Sequence, residues 1–272
     1  MKIFEANKVC KKIDGHMLIN EVSISISQGE KVAITGKNGS GKSSLLKLLG
    51  GIFTETEGQV KRPQINIGYV PEHFPENIRF KIHDYLMLVG KMSSGLEEEI
   101  LKRIESYAEL FAIQEFLNTP LKNCSKGTKQ KVGIIQALLN NPDLLLLDEP
   151  LTGLDDNAKF VLLTQLNNLQ SDKTVIFTTH EPILIEKLAD RILTVENGRI
   201  VSDSTTVKNN EKVRNIIVKI TNRNIISDIP SISSEWLGGD TVEICVFAKE
   251  SDKILSMLLE RGCSIIELIE KR

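Results

Sequence analysis

Hydrophobic positions near the start of the chain alternate with polar ones, a spacing typical of β-strands. Val22, Ile24 and Ile26 are separated by serines and followed by a Gln-Gly turn, so we expect an antiparallel ribbon with one buried face. The β-branched run Lys31–Thr35 predicts the next strand, and the leucine-rich residues 44–49 predict a helix. The pattern therefore predicts a strand, a loop and a helix in succession.

Longer apolar runs further along the chain favour buried parallel strands. Residues 64–70 are predicted to form a strand that ends at Pro71. Residues 143–148 and 174–179 are continuous apolar runs of the kind found inside parallel sheets. Because such strands alternate with helical patterns, we predict an α/β fold.

A helical insertion is predicted from about residue 72 to residue 140. Apolar residues recur there at helical spacing among charged neighbours, for example Leu96, Ile100, Ile104 and Leu110. No comparable strand-like run interrupts this part of the sequence, which favours a helical subdomain.

The C-terminal part of the chain changes character again. Residues 213–220, 241–248 and 264–269 are predicted strands, and residues 251–261 are predicted to form an amphipathic helix. The polar residues 202–210 are predicted to be a linker. We therefore expect a small separate α+β domain, in which no chemical motif is identified.

Composition and charge indicate an ordinary globular protein. The 272 residues are 41% hydrophobic and 26% charged, with a formal net charge of -2, so we expect no nucleic-acid partner. No apolar stretch approaches the roughly 18 residues that a membrane span needs, and the N-terminus lacks the apolar core of a secretion signal, which predicts a cytoplasmic location. The cysteines have no C-x-x-C spacing and are predicted to be free thiols: Cys10, Cys124, Cys245 and Cys263.

Residues 36–43 read GKNGSGKS and satisfy the phosphate-binding pattern G-x-x-x-x-G-K-S/T between a predicted strand and a predicted helix. Glycines let the loop backbone turn its N–H groups inward, and the helix N-terminus adds a partial positive charge. We predict that a nucleoside triphosphate binds here, with Lys42 on the β- and γ-phosphates and Ser43 as a ligand of Mg²⁺. The predicted nucleotide-binding residues of this segment are Gly36, Lys37, Asn38, Gly39, Ser40, Gly41, Lys42, Ser43 and Ser44.

Two carboxylates and a histidine follow the later apolar strands. Asp148 and Glu149 end one strand, and His180 follows the next. Because parallel strands present their carboxyl ends at one ligand-binding edge, we predict that Asp148 holds Mg²⁺ and that Glu149 orients or deprotonates the attacking water. His180 is predicted to reach the γ-phosphate. Each would be a solvated surface residue if it stood alone, but the phosphate loop favours the catalytic interpretation.

The order and spacing of these motifs resemble the nucleotide-binding subunit of an ATP-binding cassette (ABC) transporter over roughly residues 1–205. Two further segments carry the resemblance: CSKGTKQ at residues 124–130 resembles the signature LSGGQ, and LTGLD at residues 151–155 resembles the D-loop. The resemblance implies an ATPase with a P-loop NTPase fold, in which a RecA-like core carries an antiparallel β subdomain and the helical insertion. Residues 206–272 would be the appended small domain.

In that family, the signature of one subunit closes over the ATP held by the phosphate loop of another. The resemblance therefore implies that Ser125, Lys126 and Gly127 act in trans, and it assigns Asp155 to the D-loop. The second nucleotide-binding subunit would be a copy of this chain or a different chain. Ser125 also stands where it can cap the helix that follows.

The chain departs from the family pattern in several places. Glu72 stands where a glutamine is usual and puts a carboxylate near Mg²⁺, which it is expected to help hold. Ile13 stands where an aromatic residue usually stacks on adenine, so we expect adenine to rest on Ile13 or on His16. Lys126 and Thr128 replace a glycine and a glutamine of the signature. The S-K-G variant together with the glutamate resembles the branch of bacitracin-type and related antibiotic exporters.

The resemblance also implies a separate integral-membrane permease, with this chain bound at the inner face of the cell membrane. We expect the permease to dock near residues 72–85, where Phe74, Ile78, Phe80 and Ile82 form either a contact surface or part of the helical core. ATP hydrolysis would then power export of a drug, an antibiotic or a peptide. The alternatives are a soluble ABC-type ATPase and a regulatory nucleotide switch.

Overall fold

A computed structural model of the protein describes residues 1–62, 64–92, 96–205, 213–220, 229, 231 and 233–271. The chain forms two compact units, Met1–Val207 and Lys208–Arg272. The first unit contains β1 (Lys2–Ile13), β2 (His16–Ser27), β3 (Lys31–Thr35), α1 (Lys42–Leu49), β4 (Glu57–Lys61), β5 (Ile67–Val70), α2 (Ile82–Lys91), α3 (Glu97–Leu110), α4 (Lys126–Leu139), β6 (Leu144–Asp148), α5 (Asp156–Asn167), β7 (Thr174–Thr178), α6 (Pro182–Leu188), β8 (Arg191–Glu196) and β9 (Arg199–Thr205). Short 3-10 helices at Gln114–Phe116 and Leu121–Asn123 precede α4. The second unit contains β10 (Val213–Lys219), β11 (Ser233–Gly238), β12 (Thr241–Phe247), α7 (Ala248–Glu260) and β13 (Ser264–Lys271).

A six-stranded sheet in the order β5-β6-β7-β3-β8-β9 forms the centre of the first unit. Its neighbouring strands are parallel except for β8 and β9, which pair antiparallel. Strands β6 and β7 are buried along their whole length, as their apolar runs predict, and the α/β class is confirmed. The predicted strand at residues 64–70 begins only at Ile67. Residues that follow β3, β6 and β7 all leave the sheet at one edge.

The predicted antiparallel ribbon is confirmed as β1 paired with β2. Val22, Ile24 and Ile26 are buried and pack with Leu45 and other residues of α1, so the helix is enclosed between the ribbon and the sheet. The ribbon gains a third strand, β4, which sequence analysis missed. Because β4 is short, polar and mostly exposed, its sequence carries no hydrophobic alternation.

Helices α2, α3 and α4 form the helical region, with Ile100 and Ile104 buried in its core as predicted. The prediction is wrong for Leu96, which precedes the first residue of α3 and is 70% exposed. Leu110, at the last turn of α3, is also exposed. Helical spacing alone does not reveal where a helix begins and ends. Residues at the ends of a helix can therefore be exposed although their spacing places them on its buried face.

Residues Phe74, Ile78, Phe80 and Ile82, predicted to form either a contact surface or part of the helical core, differ in burial. Phe74 and Ile82 are buried in the helical core, and Ile78 packs against it half-buried. Phe80 alone of this group is strongly exposed, at 56%. Within the described residues, no helix has the length and apolar character that crossing a membrane requires.

The second unit is an antiparallel sheet in the order β11-β12-β10-β13, with α7 packed on one face. Ile216, Val218 and Ile244 of the sheet meet Ile254 and Leu258 of the helix in a separate core. Strand β11 was not predicted. Residues 206–210 of the predicted linker lie outside the described residues. None of the four cysteines forms a disulfide within the part of the chain that the structure describes.

We predict that Ile104→Ala lowers the free energy of unfolding by about 2–5 kcal/mol, because it leaves a cavity in the fully buried core around α3. Leu96→Ala is the matched control. It should change the free energy of unfolding by less than about 0.5 kcal/mol, because the Leu96 side chain is exposed. Urea denaturation followed by far-ultraviolet circular dichroism measures both. Equal effects of the two substitutions would contradict the assignment of Ile104 to the core.

Candidate functional site

The loop that joins β3 to α1 adopts a conformation that requires glycine at its first residue. Gly36 has a φ of 142°, and a Cβ atom there would lie 2.2 Å from the carbonyl oxygen of Val195. No side chain larger than hydrogen fits at that distance. The loop therefore packs directly against the backbone of β8.

The tight turn between β8 and β9 contacts the same loop through backbone hydrogen bonds. The backbone N–H of Gly198 donates to the carbonyl oxygen of Ser40 at 2.7 Å, and the Gly198 carbonyl accepts from the N–H of Asn20 at 2.9 Å. Sequence analysis did not identify this turn, although the dipeptide Asn197–Gly198 is a strong hairpin signal. The phosphate loop is thus fixed by the backbone of two other elements.

Lys42 begins α1, and its side chain folds back over the loop. Its Nζ atom donates to the carbonyl oxygens of Gly36 at 2.9 Å and of Lys37 at 3.1 Å. The N-cap residue Gly41 has no side chain with which to satisfy the first N–H groups of the helix. A buried ammonium and open helix amides meet in one place, which suits an anion such as phosphate.

Asp148, at the end of β6, is 2% exposed and accepts two side-chain hydrogen bonds on one oxygen. Its Oδ1 atom accepts from Ser43 Oγ at 3.0 Å and from Thr178 Oγ1 at 2.7 Å. Thr178 Oγ1 in turn accepts the backbone N–H of Glu149 at 2.9 Å. The structure therefore brings two of the three predicted metal ligands, Ser43 and Asp148, together. Thr178 was missed because nothing in its apolar strand distinguishes it.

Glu149 follows β6 with a φ of 47°, a left-handed conformation that is uncommon for glutamate. Its Oε1 atom lies 3.2 Å from Nε2 of His180, whose side chain is half-exposed. Burial raises the pKa of Glu149, and the positive charges of His180 and Lys42 oppose the rise. A carboxylate with a raised pKa is a better proton acceptor near neutral pH.

Two buried oxygen atoms of this site, Ser40 Oγ and Glu149 Oε1, have no hydrogen-bond partner among the described residues. The contact of Glu149 with His180 is close but does not have hydrogen-bond geometry. Such unpaired buried atoms are rare in proteins, and here they fit a site that binds polar groups.

No group of three or more histidine, cysteine, aspartate or glutamate side chains within the described ranges is spaced to hold a metal. The oxygens of Ser43 and Asp148 are hard ligands of the kind that Mg²⁺ prefers.

The signature segment lies at the start of α4. Ser125 is its N-cap and accepts the backbone N–H of Thr128 at 3.1 Å, so the predicted capping is observed. Lys126 and Gly127 form the first helical residues, and a Cβ atom on Gly127 would lie 2.8 Å from the carbonyl oxygen of Gly153. The signature is thus packed directly on the D-loop of the same chain.

Asp155 ends the D-loop as the N-cap of α5. Its Oδ1 atom accepts the backbone N–H of Ala158 at 2.8 Å, and its Oδ2 atom lies 2.8 Å from Lys131 Nζ. The Lys131 hydrogen bond, followed by that of the Ala158 N–H, lowers the pKa of Asp155. The residue therefore has a clear structural role in linking α4 and α5.

The structure leaves two predicted ligand residues at the margin of this cluster. Glu72 is 48% exposed, and its Oε1 atom lies 3.8 Å from His73 Nε2. Ile13 pairs with His16 at the turn that closes the β1–β2 hairpin, where it is exposed. Neither has a contact with Asp148 or the phosphate loop among the described hydrogen bonds and ion pairs.

Comparison with known families and proteins gives a consistent result. Residues 19–152 match the family model described as ABC transporter. An uncharacterised ABC transporter ATP-binding protein of Methanocaldococcus jannaschii is 35% identical over 187 residues, which cover 68% of this chain and 70% of that protein. A putative ABC transporter ATP-binding protein of Archaeoglobus fulgidus is 33% identical over 230 residues, 78% of this chain and 95% of the relative. Nod factor export ATP-binding protein I of Rhizobium johnstonii is 30% identical over 207 residues, 72% of this chain and 67% of the relative.

Solved structures agree with these relatives. The ATP-binding subunit of an ABC transporter superposes with a TM-score of 0.69 at 26% identity, over 75% of this chain and 90% of that chain. A dimeric ATP-binding cassette in a post-hydrolysis state, bound to ADP and Pi, superposes with a TM-score of 0.67 at 27% identity, over 74% of this chain and 98% of that chain.

We predict that Glu149→Gln raises the thermal unfolding midpoint of the nucleotide-free protein at neutral pH by a few degrees. The raised pKa means that Glu149 favours folding when protonated, so its contribution is complete below its ordinary value of 4.5 and is lost as pH rises through the raised value. The advantage of the variant should therefore shrink as the pH falls towards 4.5. Thermal melts across this pH range measure it.

The control for this experiment is Glu196→Gln, at the exposed end of β8. It removes the same charge without relieving a buried carboxylate, so its unfolding midpoint should follow that of the unmodified protein. A stability difference for Glu149→Gln that does not depend on pH would contradict the assigned cause.

Proposed function

Because this chain belongs to the ATP-binding proteins of the ABC transporter family, we propose that it powers export through a separate membrane-spanning permease. The chain is an ATP-binding subunit and an ATPase. The observation that best supports the catalytic assignment is the connection of Ser43, Asp148 and Glu149 through Thr178 at one edge of the sheet. We assign this activity to residues 1–205 and treat residues 206–272 as an appended domain.

We propose that the triphosphate binds along the loop from Gly36 to Ser44. Lys42 then exchanges its hydrogen bonds to the Gly36 and Lys37 carbonyls for oxygens of the β- and γ-phosphates. The unpaired backbone N–H groups at the start of α1 donate hydrogen bonds to the other phosphate oxygens. Adenine rests against the end of the β1–β2 hairpin at Ile13 or His16, where an aliphatic contact replaces aromatic stacking.

In the proposed hydrolysis, Glu149 accepts a proton from water as the water oxygen attacks the γ-phosphorus. The bond from that phosphorus to the bridging oxygen breaks, and ADP leaves with the electron pair. Mg²⁺, held by Ser43 and Asp148 with Glu72 nearby, would neutralise charge on the β- and γ-phosphates when bound. His180, whose Nε2 atom lies 3.2 Å from Glu149 Oε1, would reach the γ-phosphate and orient Glu149 for proton transfer.

We further propose that two cassettes enclose the nucleotide. The similarity to a dimeric cassette supports this arrangement, with Ser125, Lys126 and Gly127 of one chain facing the phosphates held by the other. Ser125 caps α4, whose N-terminus would direct its partial positive charge at the γ-phosphate. Asp155 and Gly153 connect this signature to the acidic site within one chain, since the D-loop follows Glu149 directly.

Export as the direction of transport is supported by the similarity to the Nod factor export proteins. We propose that the cargo is a drug, an antibiotic or a peptide. The permease would dock on the helical region beside the loop that begins at Glu72, and Phe80 is the exposed apolar residue that best fits such a contact. This docking would hold the chain at the inner face of the cell membrane.

We predict that Glu149→Gln binds ATP with Mg²⁺, lowers turnover by at least about 100-fold and accumulates as an ATP-bound dimer. The physical reason is that the amide keeps the shape of the site but cannot accept the proton. Phosphate release measures turnover, and size-exclusion chromatography with light scattering measures the dimer. Undiminished turnover would remove Glu149 from the role of base.

Two further variants separate ATP binding from dimer formation. Lys42→Ala in the Glu149→Gln background should lose nucleotide binding and with it the dimer. Ser125→Glu in the same background should still bind ATP, because the phosphate loop is intact, but it should fail to dimerise, because the new carboxylate repels phosphates held by the other chain. An ATP-dependent dimer of the Ser125→Glu variant would contradict the arrangement in trans.

We predict that Phe80→Glu lowers copurification of the tagged chain with membranes of its native cell by about 10-fold. A charged side chain at the centre of an apolar contact is poorly solvated once the partner covers it. Ile52→Glu is the control, since Ile52 is similarly exposed but follows α1, away from the helical region. Membrane copurification that is equal for both variants would exclude Phe80 from the docking surface.

A further inference from the structure

Tyr69 has a buried hydroxyl group without a partner. It lies in β5, the edge strand next to β6, and its ring packs against the core cluster that encloses α1. Its hydroxyl oxygen is buried and accepts or donates no hydrogen bond among the described residues. Sequence analysis and the proposed hydrolysis assign this hydroxyl no role.

The Tyr69 hydroxyl lies within the electrostatic influence of two carboxylates, Asp148 and Glu72. Tyr69 pairs with Leu146 in the sheet, so the two strands run together towards Asp148 and Glu72. Burial, followed by the negative charges of Asp148 and Glu72, raises the pKa of Tyr69 to about 12. A tyrosine hydroxyl keeps its proton at neutral pH, so the buried and unpaired hydroxyl of Tyr69 is available as a hydrogen-bond donor.

Packing alone does not explain a tyrosine at this position. A phenylalanine would fill the same apolar space without burying an unpaired hydroxyl, which is unfavourable. Tyr85 illustrates the ordinary case, since its hydroxyl donates to the side chain of Gln136. The same Gln136 donates through Nε2 to the backbone carbonyl of Tyr69 at 3.4 Å and leaves the Tyr69 hydroxyl unpaired.

We propose that Tyr69 is a positioning residue of the ATP site, whose hydroxyl donates a hydrogen bond to the water shell that a magnesium nucleotide brings between Asp148 and Glu72. The inference rests on the function proposed above and names a further residue of that site. Because Tyr69 is the penultimate residue of β5, this hydrogen bond would couple the metal site to the loop that carries Glu72 and leads into the helical region.

The test compares nucleotide binding with and without magnesium. Dissociation constants of a fluorescent trinitrophenyl-ATP are measured for the full chain and for Tyr69→Phe, once in excess Mg²⁺ and once in EDTA. We expect Tyr69→Phe to weaken binding in Mg²⁺ by about 3- to 10-fold, the effect of one lost hydrogen bond, and to leave binding in EDTA unchanged. The Mg²⁺ concentration for half-maximal ATP hydrolysis should rise in parallel.

Tyr107→Phe is the matched control, because Tyr107 is also half-buried but lies in α3 among the residues of the helical core. It should bind as the unmodified chain does under both conditions. The inference is overturned if Tyr69→Phe keeps the full enhancement by Mg²⁺, or if it weakens binding equally in EDTA. An unmodified chain that neither binds nor hydrolyses ATP would instead overturn the proposed function.

Discussion

The buried carboxylate of Asp148 is the constraint on which the rest of the site depends. It ends β6 and accepts hydrogen bonds from Ser43 of α1 and Thr178 of β7 on the same oxygen atom. A buried charge is costly unless it is paired, so these donors stabilise the carboxylate and fix three elements relative to one another. The hydrogen bond between Ser43 and Asp148 holds the two proposed metal ligands side by side, which is the arrangement that shared metal binding requires.

The phosphate loop is rigid for a related reason. Its backbone is held by Gly198 of the β8–β9 turn, and its ammonium group, Lys42, is already bound to loop carbonyls. Neither contact uses a charged partner that would compete strongly with phosphate. At the opposite side, the signature at Ser125 and the D-loop at Asp155 are helix caps that are packed together through Gly127. The two halves of the proposed composite site are therefore both preformed in one chain.

Sequence analysis predicted most of the local features correctly, since those features depend on neighbouring residues. The ribbon periodicity, the buried strand β6, the cap at Ser125 and the helix core at Ile104 are confirmed. It left two interpretations open where burial depends on distant packing: Phe74 and Ile82 were candidates for either a contact surface or the helical core, and they lie in the core. The short polar strand β4 carries no periodic signal and was missed for that reason.

The amino-acid sequence by itself determined the class of fold, the family and the identity of the phosphate-binding loop, because these depend on residue types at short, regular spacings. Only the tertiary structure decided that Ser43 meets Asp148 across 105 positions, that Thr178 completes the pair, and that the Tyr69 hydroxyl is buried without a partner. The physical reason is that strand order in the sheet, set by packing of the whole unit, selects which strand ends become neighbours. No local pattern along the chain contains that information.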